Sequence, residues 1–558
     1  MSSEAGDTGG NRPGQWSAPA GGALRRLAPA AAPGGNSSLE WPPPTPPRSW
    51  RRVRLAALAG ALLLALAAGG VYAAYHFLFA HADRATAAYV PSGALAYVAL
   101  NTDPTSHAWV DAWMLARRAG IDDVLANLPD ENLNDSSTPD AWESLVKPAI
   151  GGEVGLAAWP DGQQVDGAAI VLFSDAGKAR LAIAPLLGDG TLRDASHRGI
   201  SYQVNERGEA AGVVDHALVL ASRAQAFDAV IDARLDGATL AGQPRFQTAA
   251  EHAAADPLIF GWVDTPAVAK TLGDRADSSV FGAAGINVSP WRDYQAIGTA
   301  TITIKAEDDA LRAVVLTEGR PASFPAPASG DDLAGSVPAA TLFYATSADL
   351  YHSIWQPLIE PLRQEAAQHD PTTFGAYDPA NLFGIDLEHG LLAHLTGRYA
   401  LAVQAGNQGG ESWSVQFLSR VDDAKAVQQT LDQAAIVAQT QFEIPLQGQP
   451  DGYQLSQDGS TLDLTLKGDL MRFSIAYGAP PADGALAGDP AYRQAMAGMP
   501  ADASYAGYVA LNRIVPLLAE RTSEADNPAL TALNSAAYVI APDGAGTRSE
   551  LALFLKTK

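Results

Sequence analysis

Five groups of residues in this chain have types and spacings that could carry chemistry. Ser144 and Lys147, in SLVK, have the Ser-x-x-Lys spacing of penicillin-interacting enzymes. On a helix both side chains share one face, where the amine activates the hydroxyl as a nucleophile. The companion Ser-Asp-Asn and Lys-Thr-Gly elements are absent and Pro148 follows at once, so a surface helix is the better reading. Asp130, Asn132 and Asn134 occupy positions one, three and five of a calcium loop. Position six is Asp135 rather than Gly, and position twelve is Ala141 rather than Glu. Without the sharp turn and the bidentate ligand the stretch reads as an acidic, solvated loop.

Glu388, His389 and His394 form the densest cluster of histidine and acid. A spacing of five puts the two histidines on different helix faces, unlike His-Glu-x-x-His, so they reach one metal only if irregular structure brings them together. His107 and His352 stand at matching places in the two halves of the chain, and Trp109 and Trp113 share a helix face. The first pair reads as helix-surface histidines and the second as core. The chain has no Gly-x-Ser-x-Gly, no P-loop and no Gly-x-Gly-x-x-Gly after a strand. No catalytic, cofactor-binding or metal residue is therefore assigned, and no cofactor is implied.

The elements that position these residues are short strands and amphipathic helices. ALAYVAL, VGLAAW, GAAIVLF, ALVLAS, ATITIKA, ALRAVVL, LDLTLK and MRFSIAY alternate as strands do. Asp-Gly turns in WPDGQQVDGAAI and SQDGSTLDL join neighbours into hairpins, which predicts largely antiparallel sheets. A helix is predicted over Thr105–Leu128, opened by Asp103-Pro104, with Trp109, Val110, Trp113 and Met114 on one face. GKARLAIAPLL and DAKAVQQTLDQAAIVAQTQ are further helices. Strand clusters mixed with helices, without strict alternation, predict an α+β fold.

The chain also repeats itself. LAGQPRFQTA, from Leu240, returns as LAGDPAYRQA, from Leu486. At nearly the same offset IGGEVGLA (150–157) meets LTGRYALA (395–402), DAGKA (175–179) meets DDAKA (422–426), and PSGALAY (91–97) meets PAATLFY (338–344). The stretch 299–319 resembles 535–557 in looser register. The expected organisation is two tandem, duplicated lobes, 84–320 and 333–558, joined by a linker at 321–332.

Residues 55–80 form an apolar run with His76 as its one ionisable group, enough to cross a bilayer. Arg48, Arg51, Arg52 and Arg54 precede it, which places the N-terminus in the cytoplasm and the rest outside. A cleaved signal peptide would have a shorter apolar core and a far shorter leader. Residues 1–54, rich in Gly, Pro and Ser before the run, read as a disordered tail. The formal net charge of −24 and the absence of a basic stripe exclude nucleic acid as a partner. The absence of cysteine excludes disulfides and thiolate chemistry.

The stretches VPSGALAYVALNTDP, VPAATLFYATSADL and MPADASYAGYVALN, with FGIDLEHGLLAHLTGRYALAV, resemble the bacterial domain of unknown function 3352 family over residues 84–558. This chain has His389-Gly390 where the family's usual motif ends in an acidic residue. The resemblance implies a membrane-tethered extracytoplasmic protein and carries over no catalytic residue. The functional expectation is a non-catalytic binding or scaffolding module of the bacterial envelope, held in the bilayer by residues 55–80. Its ligand would be a lipid, an envelope polymer or a protein. The alternative is an envelope hydrolase with its site in a cleft between the lobes.

Overall fold

The structure is a computed structural model that describes residues 84–121, 150–162, 164–173, 175–188, 190–253, 255–272, 297–320, 324, 333–356, 385–405, 412–478, 484–500, 502–519 and 528–556. The apolar run, the tail, linker residues 325–332, the Asp130–Asn134 stretch and the Ser144–Lys147 pair lie outside them. Among the described residues no helix is long and apolar enough to cross a membrane.

The first half contributes ten strands: β1 (Ala96–Asn101), β2 (Ile150–Asp161), β3 (Gln164–Phe173), β4 (Arg193–His197), β5 (Ile200–Val204), β6 (Ala210–Val214), β7 (Ala217–Ala221), β8 (Ile259–Asp264), β9 (Thr299–Ala306) and β10 (Ala310–Thr317). The second half contributes ten more: β11 (Thr341–Ala348), β12 (Arg398–Ala405), β13 (Trp413–Arg420), β14 (Gln447–Gln449), β15 (Gly452–Gln457), β16 (Ser460–Lys467), β17 (Leu470–Tyr477), β18 (Tyr505–Val509), β19 (Leu533–Asp543) and β20 (Gly546–Leu555). The main helices are α1 (His107–Ala119), α2 (Ala176–Leu187), α3 (Ala224–Asp236), α4 (Pro244–His252), α5 (Thr265–Leu272), α6 (Ala424–Gln441), α7 (Pro490–Met496) and α8 (Leu511–Ala519).

Every pairing is antiparallel, as the Asp-Gly hairpins predict. In the first half the spatial order is β4-β5-β6-β7-β3-β2-β1-β8-β9-β10. The second half reads β14-β15-β16-β17-β13-β12-β11-β18-β19-β20, the same pairings strand for strand. The two runs are not separate sheets. β10 pairs with β20 from Ala310↔Phe554 to Thr317↔Thr547, so all twenty strands form one sheet. Arg312 crosses this seam to the buried Glu550 at 2.8 Å, and Thr317 bonds Thr547 at 2.9 Å. The described residues belong to one compact unit.

The repeated LAG-x-P-x-aromatic stretch has a clear physical role. Leu240–Gly242 and Leu486–Gly488 are single 3-10 turns, each followed by a helix with proline in its first turn. Each turn is held beside another proline: Pro91 bridges Thr239, and Pro338 bridges Ala485. The helix then lays its aromatic ring over the central strand pair. Phe246 meets Tyr97 edge-on at 5.6 Å and Trp262 at 5.7 Å. Tyr492 meets Tyr344 at 5.9 Å and Tyr508 at 5.2 Å, again edge-on. Tyr97↔Trp262 and Tyr344↔Tyr508 are register partners in β1–β8 and β11–β18. The stretch is written twice because it caps two equivalent cores.

Some expectations are corrected. The first long helix begins at His107, not near Thr105, and its cap is Ser106, whose hydroxyl accepts from the Trp109 N–H. Asp103 instead accepts from Thr105. The helix stops at Gly120, whose left-handed φ of 70° ends it before Leu128. Its apolar stripe is not all core: Trp109 is buried and donates to the Asn101 carbonyl, while Val110, Trp113 and Met114 are exposed.

The caps make equal and testable contributions. We expect Phe246→Ala and Tyr492→Ala each to destabilise the chain by about 3–5 kcal/mol in urea titrations. Near-neutral melting for either variant would show that its cap is not structural.

Candidate functional site

The residues singled out from the sequence do not converge. Glu388 lies near Tyr351, whose hydroxyl donates to its carboxylate at 3.3 Å. His389 turns to Asp386 at 3.0 Å, and His394 turns to Asp422 at 2.7 Å. Each histidine is thus occupied by its own carboxylate, and among the described residues no three His, Asp or Glu side chains are grouped to hold a metal. His107 opens α1 on the surface, and His352 bonds Asp349 at 2.8 Å.

The most buried acid is one that sequence spacing did not mark. Glu153, in β2, is fully buried. Its Oε1 accepts from the Thr86 N–H at 2.9 Å, from the Thr86 hydroxyl and from the Tyr97 hydroxyl at 3.0 Å; Oε2 accepts from the Ala85 N–H at 3.2 Å. Arg84, beside it, donates to the Ala250 carbonyl at 2.6 Å and stacks 4.1 Å from the Phe260 ring centre. Burial raises the Glu153 carboxyl above its ordinary range, against the pull of the Thr86, Tyr97 and Ala85 bonds. Burial, and then Glu153, push Tyr97 well above its usual value. The arrangement has no free nucleophile beside it. It fastens the turn Ala85–Tyr89 to the sheet.

A second hint appears only when the halves are compared register by register. On one face of the first half, Val204, Ala210, Ala221 and Ala168 run across β5, β6, β7 and β3 to Ala157 and Tyr97. Helix α3 covers them: Phe227 stacks on Tyr202 at 4.5 Å, within one buried cluster. The same register in the second half reads Gln454, Asp463, Ser474 and Gln416, then Ala402 and Tyr344. From Tyr477 to Leu486 the chain has too few residues for a helix of α3's length. Among the described residues no helix takes the place of α3, and the strand face there is polar.

The opposite face shows the reverse. Leu455, Leu462, Ile475, Val415, Val403, Phe343 and Val509 form one in-register row across seven strands of the second half. All are half-buried or exposed. Helix α6 covers the neighbouring part of this face, where Tyr453 and Leu464 pack with Leu431 and Tyr453 bonds Asp432. Beyond the row stand Trp413 and Tyr477, 46% and 43% exposed. At its outer end Leu455, Leu462 and Ile475, with Gln457, Asp458, Ser460 and Thr461, line a cavity of about 360 Å³. In the first half Ala96, Ala158 and Gly167 replace Phe343, Val403 and Val415, Val263 keeps the place of Val509, and backbone bonds carry the ladder from Gly167 to Ser222 and from Glu209 to Asn205. The fold therefore does not require an apolar row there.

The sequence carried a trace of both features. Glu153 is the one charge inside IGGEVGLA, and its counterpart in LTGRYALA is Arg398. The row is visible only once strand register is known, because period-two alternation marks faces and not neighbours.

A family model described as "Protein of unknown function (DUF3352)" matches residues 56–450. No curated protein matches the chain. Solved structures with some likeness include crystal forms III, IV and I of TP0453, with TM-scores of 0.26, 0.25 and 0.24 and identities of 10%, 10% and 11%. They cover 41% of this chain and 78%, 78% and 77% of theirs. At those scores they carry no argument.

Glu153 yields a pH prediction. Its folded value lies above its unfolded value, so the stability it adds is fully present below the ordinary carboxyl range and is lost as pH rises through the raised value. Urea midpoints measured from about pH 4 to about pH 8 should therefore shift in favour of Glu153→Gln relative to the parent as pH rises. Parallel curves would contradict this. Glu153→Ala leaves the Ala85 and Thr86 N–H groups and one of the two mutually bonded hydroxyls of Thr86 and Tyr97 without an acceptor, and should destabilise by about 3 kcal/mol or more.

Proposed function

The chain belongs to the DUF3352 family of proteins of unknown function, and from that premise we propose that it is a single-pass, membrane-anchored bacterial envelope protein whose globular part is a non-catalytic binding module. The globular part is two copies of one α+β unit. The support for that is the recurrence of all nine strand pairings and of the aromatic cap. Residues 55–80 are the anchor, preceded by a cytoplasmic tail. The support is the arginine excess before an apolar run of sufficient length, most of which falls within the family match.

One observation carries the binding reading: on the face that α3 covers in the first copy, the outer strands of the second carry polar residues, while their opposite face keeps a core with α6. In the first copy those strands are buried under α3. In the second they show a polar face on one side and a half-exposed apolar row on the other. Duplication leaves one copy free to hold the fold while the other changes its surfaces. The titratable groups that stand out have structural duties: Glu153 fastens the first turn, and Arg312 with Glu550 closes the seam.

The topology is directly testable because the chain has no cysteine. Ser37→Cys and Ser222→Cys each create a single thiol. In intact cells a membrane-impermeant maleimide should label Cys at 222, once the outer barrier is opened, and not at 37. Lysis should expose both. Labelling at 37 without lysis, or release of the chain from membranes by carbonate, would contradict the anchored reading.

A further inference from the structure

We propose that helix α1 lies on the surface of the bilayer that holds residues 55–80, with Val110, Trp113 and Met114 set at the boundary between headgroups and acyl chains. The place of α1 in the fold comes first. Near its start the Ala108 N–H donates to Asp256, just before β8, and the Trp109 ring donates to the Asn101 carbonyl at the end of β1. Near its far end Arg118 bonds Asp308, in the turn between β9 and β10. Leu115 and Ala119 share a buried cluster with Leu100, Ile259, Ala306 and Leu555, which stand where β1, β9 and β20 end and β8 begins. The helix therefore crosses one end of the sheet, for about 20 Å at 1.5 Å for each of its 13 residues.

The chain enters the fold at that same end. Three residues, 81–83, separate the apolar run from Arg84, a span of at most about 14 Å at about 3.6 Å per step. Arg84 and its neighbours are held in place: Arg84 stacks on Phe260, and the Ala85 and Thr86 N–H groups donate to Glu153. Phe260 is the second residue of β8, and Glu153 is the register partner of Asn101, the last residue of β1. This ties the end of the sheet that α1 crosses close to the membrane, given the membrane-anchored reading above, on which the proposal rests. The outer side of α1 has the chemistry of an interfacial helix. Val110, Trp113 and Met114 are exposed neighbours at helical spacing. His107 precedes them and Arg117 and Arg118 follow, all exposed, with no acid among the exposed residues of the helix although the chain carries a formal charge of −24. A tryptophan ring favours the headgroup level, and arginine stems cover apolar surface while their heads reach phosphate oxygens.

The test uses the full chain in vesicles of phosphatidylcholine and phosphatidylglycerol that include a lipid with a doxyl group near the head of its acyl chain. Val110→Cys and Val165→Cys each create a unique thiol, at valines 42% and 49% exposed. Val165 pairs with Pro160, about 24 Å along β2 from Glu153 at about 3.4 Å per residue, toward the other end of the sheet. Each thiol carries an environment-sensitive fluorophore. Bilayer contact predicts blue-shifted emission and quenching at 110, several-fold stronger than at 165. Trp113→Glu in the Val110→Cys background should bring quenching at 110 down to the level at 165, whereas Trp113→Leu should keep most of it. Melting curves that match the parent certify that the variants are folded. Flotation of the vesicles reads the anchor separately. A chain that floats yet shows equal quenching at both positions loses the bilayer-facing helix alone. So does one whose unlabelled thiols at 110 crosslink between copies while the label stays unquenched. A chain that does not float overturns this proposal together with the anchored reading.

Discussion

The ladder between β10 and β20 is the constraint on which the rest of the structure depends. Each half ends in a hairpin whose outer strand would otherwise be a bare sheet edge, an invitation to pair with other chains. Here the two edges satisfy one another over the full run from Ala310↔Phe554 to Thr317↔Thr547. Because β10 and β20 hold the same place in their halves, the pairing is self-complementary, the intrachain version of an isologous dimer contact. Arg312 and Glu550 add a charged contact with little exposure, flanked by Glu307 and Arg548, so each charge has more than one partner.

Away from that seam the halves share a core and differ in their outer strands. The aromatic caps, Phe246 and Tyr492, cover the central strands on the same face. Further out, the first half spends its strand faces on packing against α3. In the second no described helix takes that place, and the strand face changes polarity: Gln454, Asp463, Ser474 and Gln416 replace a row of Val and Ala. The large apolar residues of these strands stand on the other face, in the row from Leu455 to Val509. This links the shorter stretch of chain between Tyr477 and Leu486 to a change in the surface of the outer strands.

Much of the fold was legible from local pattern. Alternation and the two Asp-Gly turns found the hairpins, and the LAG stretches found the matched cores. Local pattern failed where partners are distant. Ser106 outcompetes Asp103 as the α1 cap because Asp103 is engaged by Thr105, and Val110, Trp113 and Met114 face outward despite their helical spacing. Glu153 carried no mark in the sequence, because the donors that hold it come from Ala85, Thr86 and Tyr97. The His and acid cluster drew attention by density, yet its members pair separately, His389 with Asp386, His394 with Asp422 and Glu388 with Tyr351. The apolar row was hidden since its seven residues come from seven strands.

The unity of the sheet is the claim most exposed to experiment, and hydrogen–deuterium exchange on the full chain tests it most directly. If the ladder joins the halves, amides of β9, β10, β19 and β20 exchange as slowly as those of β1 and β11, and all open together. If β10 and β20 exchange far faster while β1 and β11 stay protected, the halves are independent bodies and the single-sheet account fails.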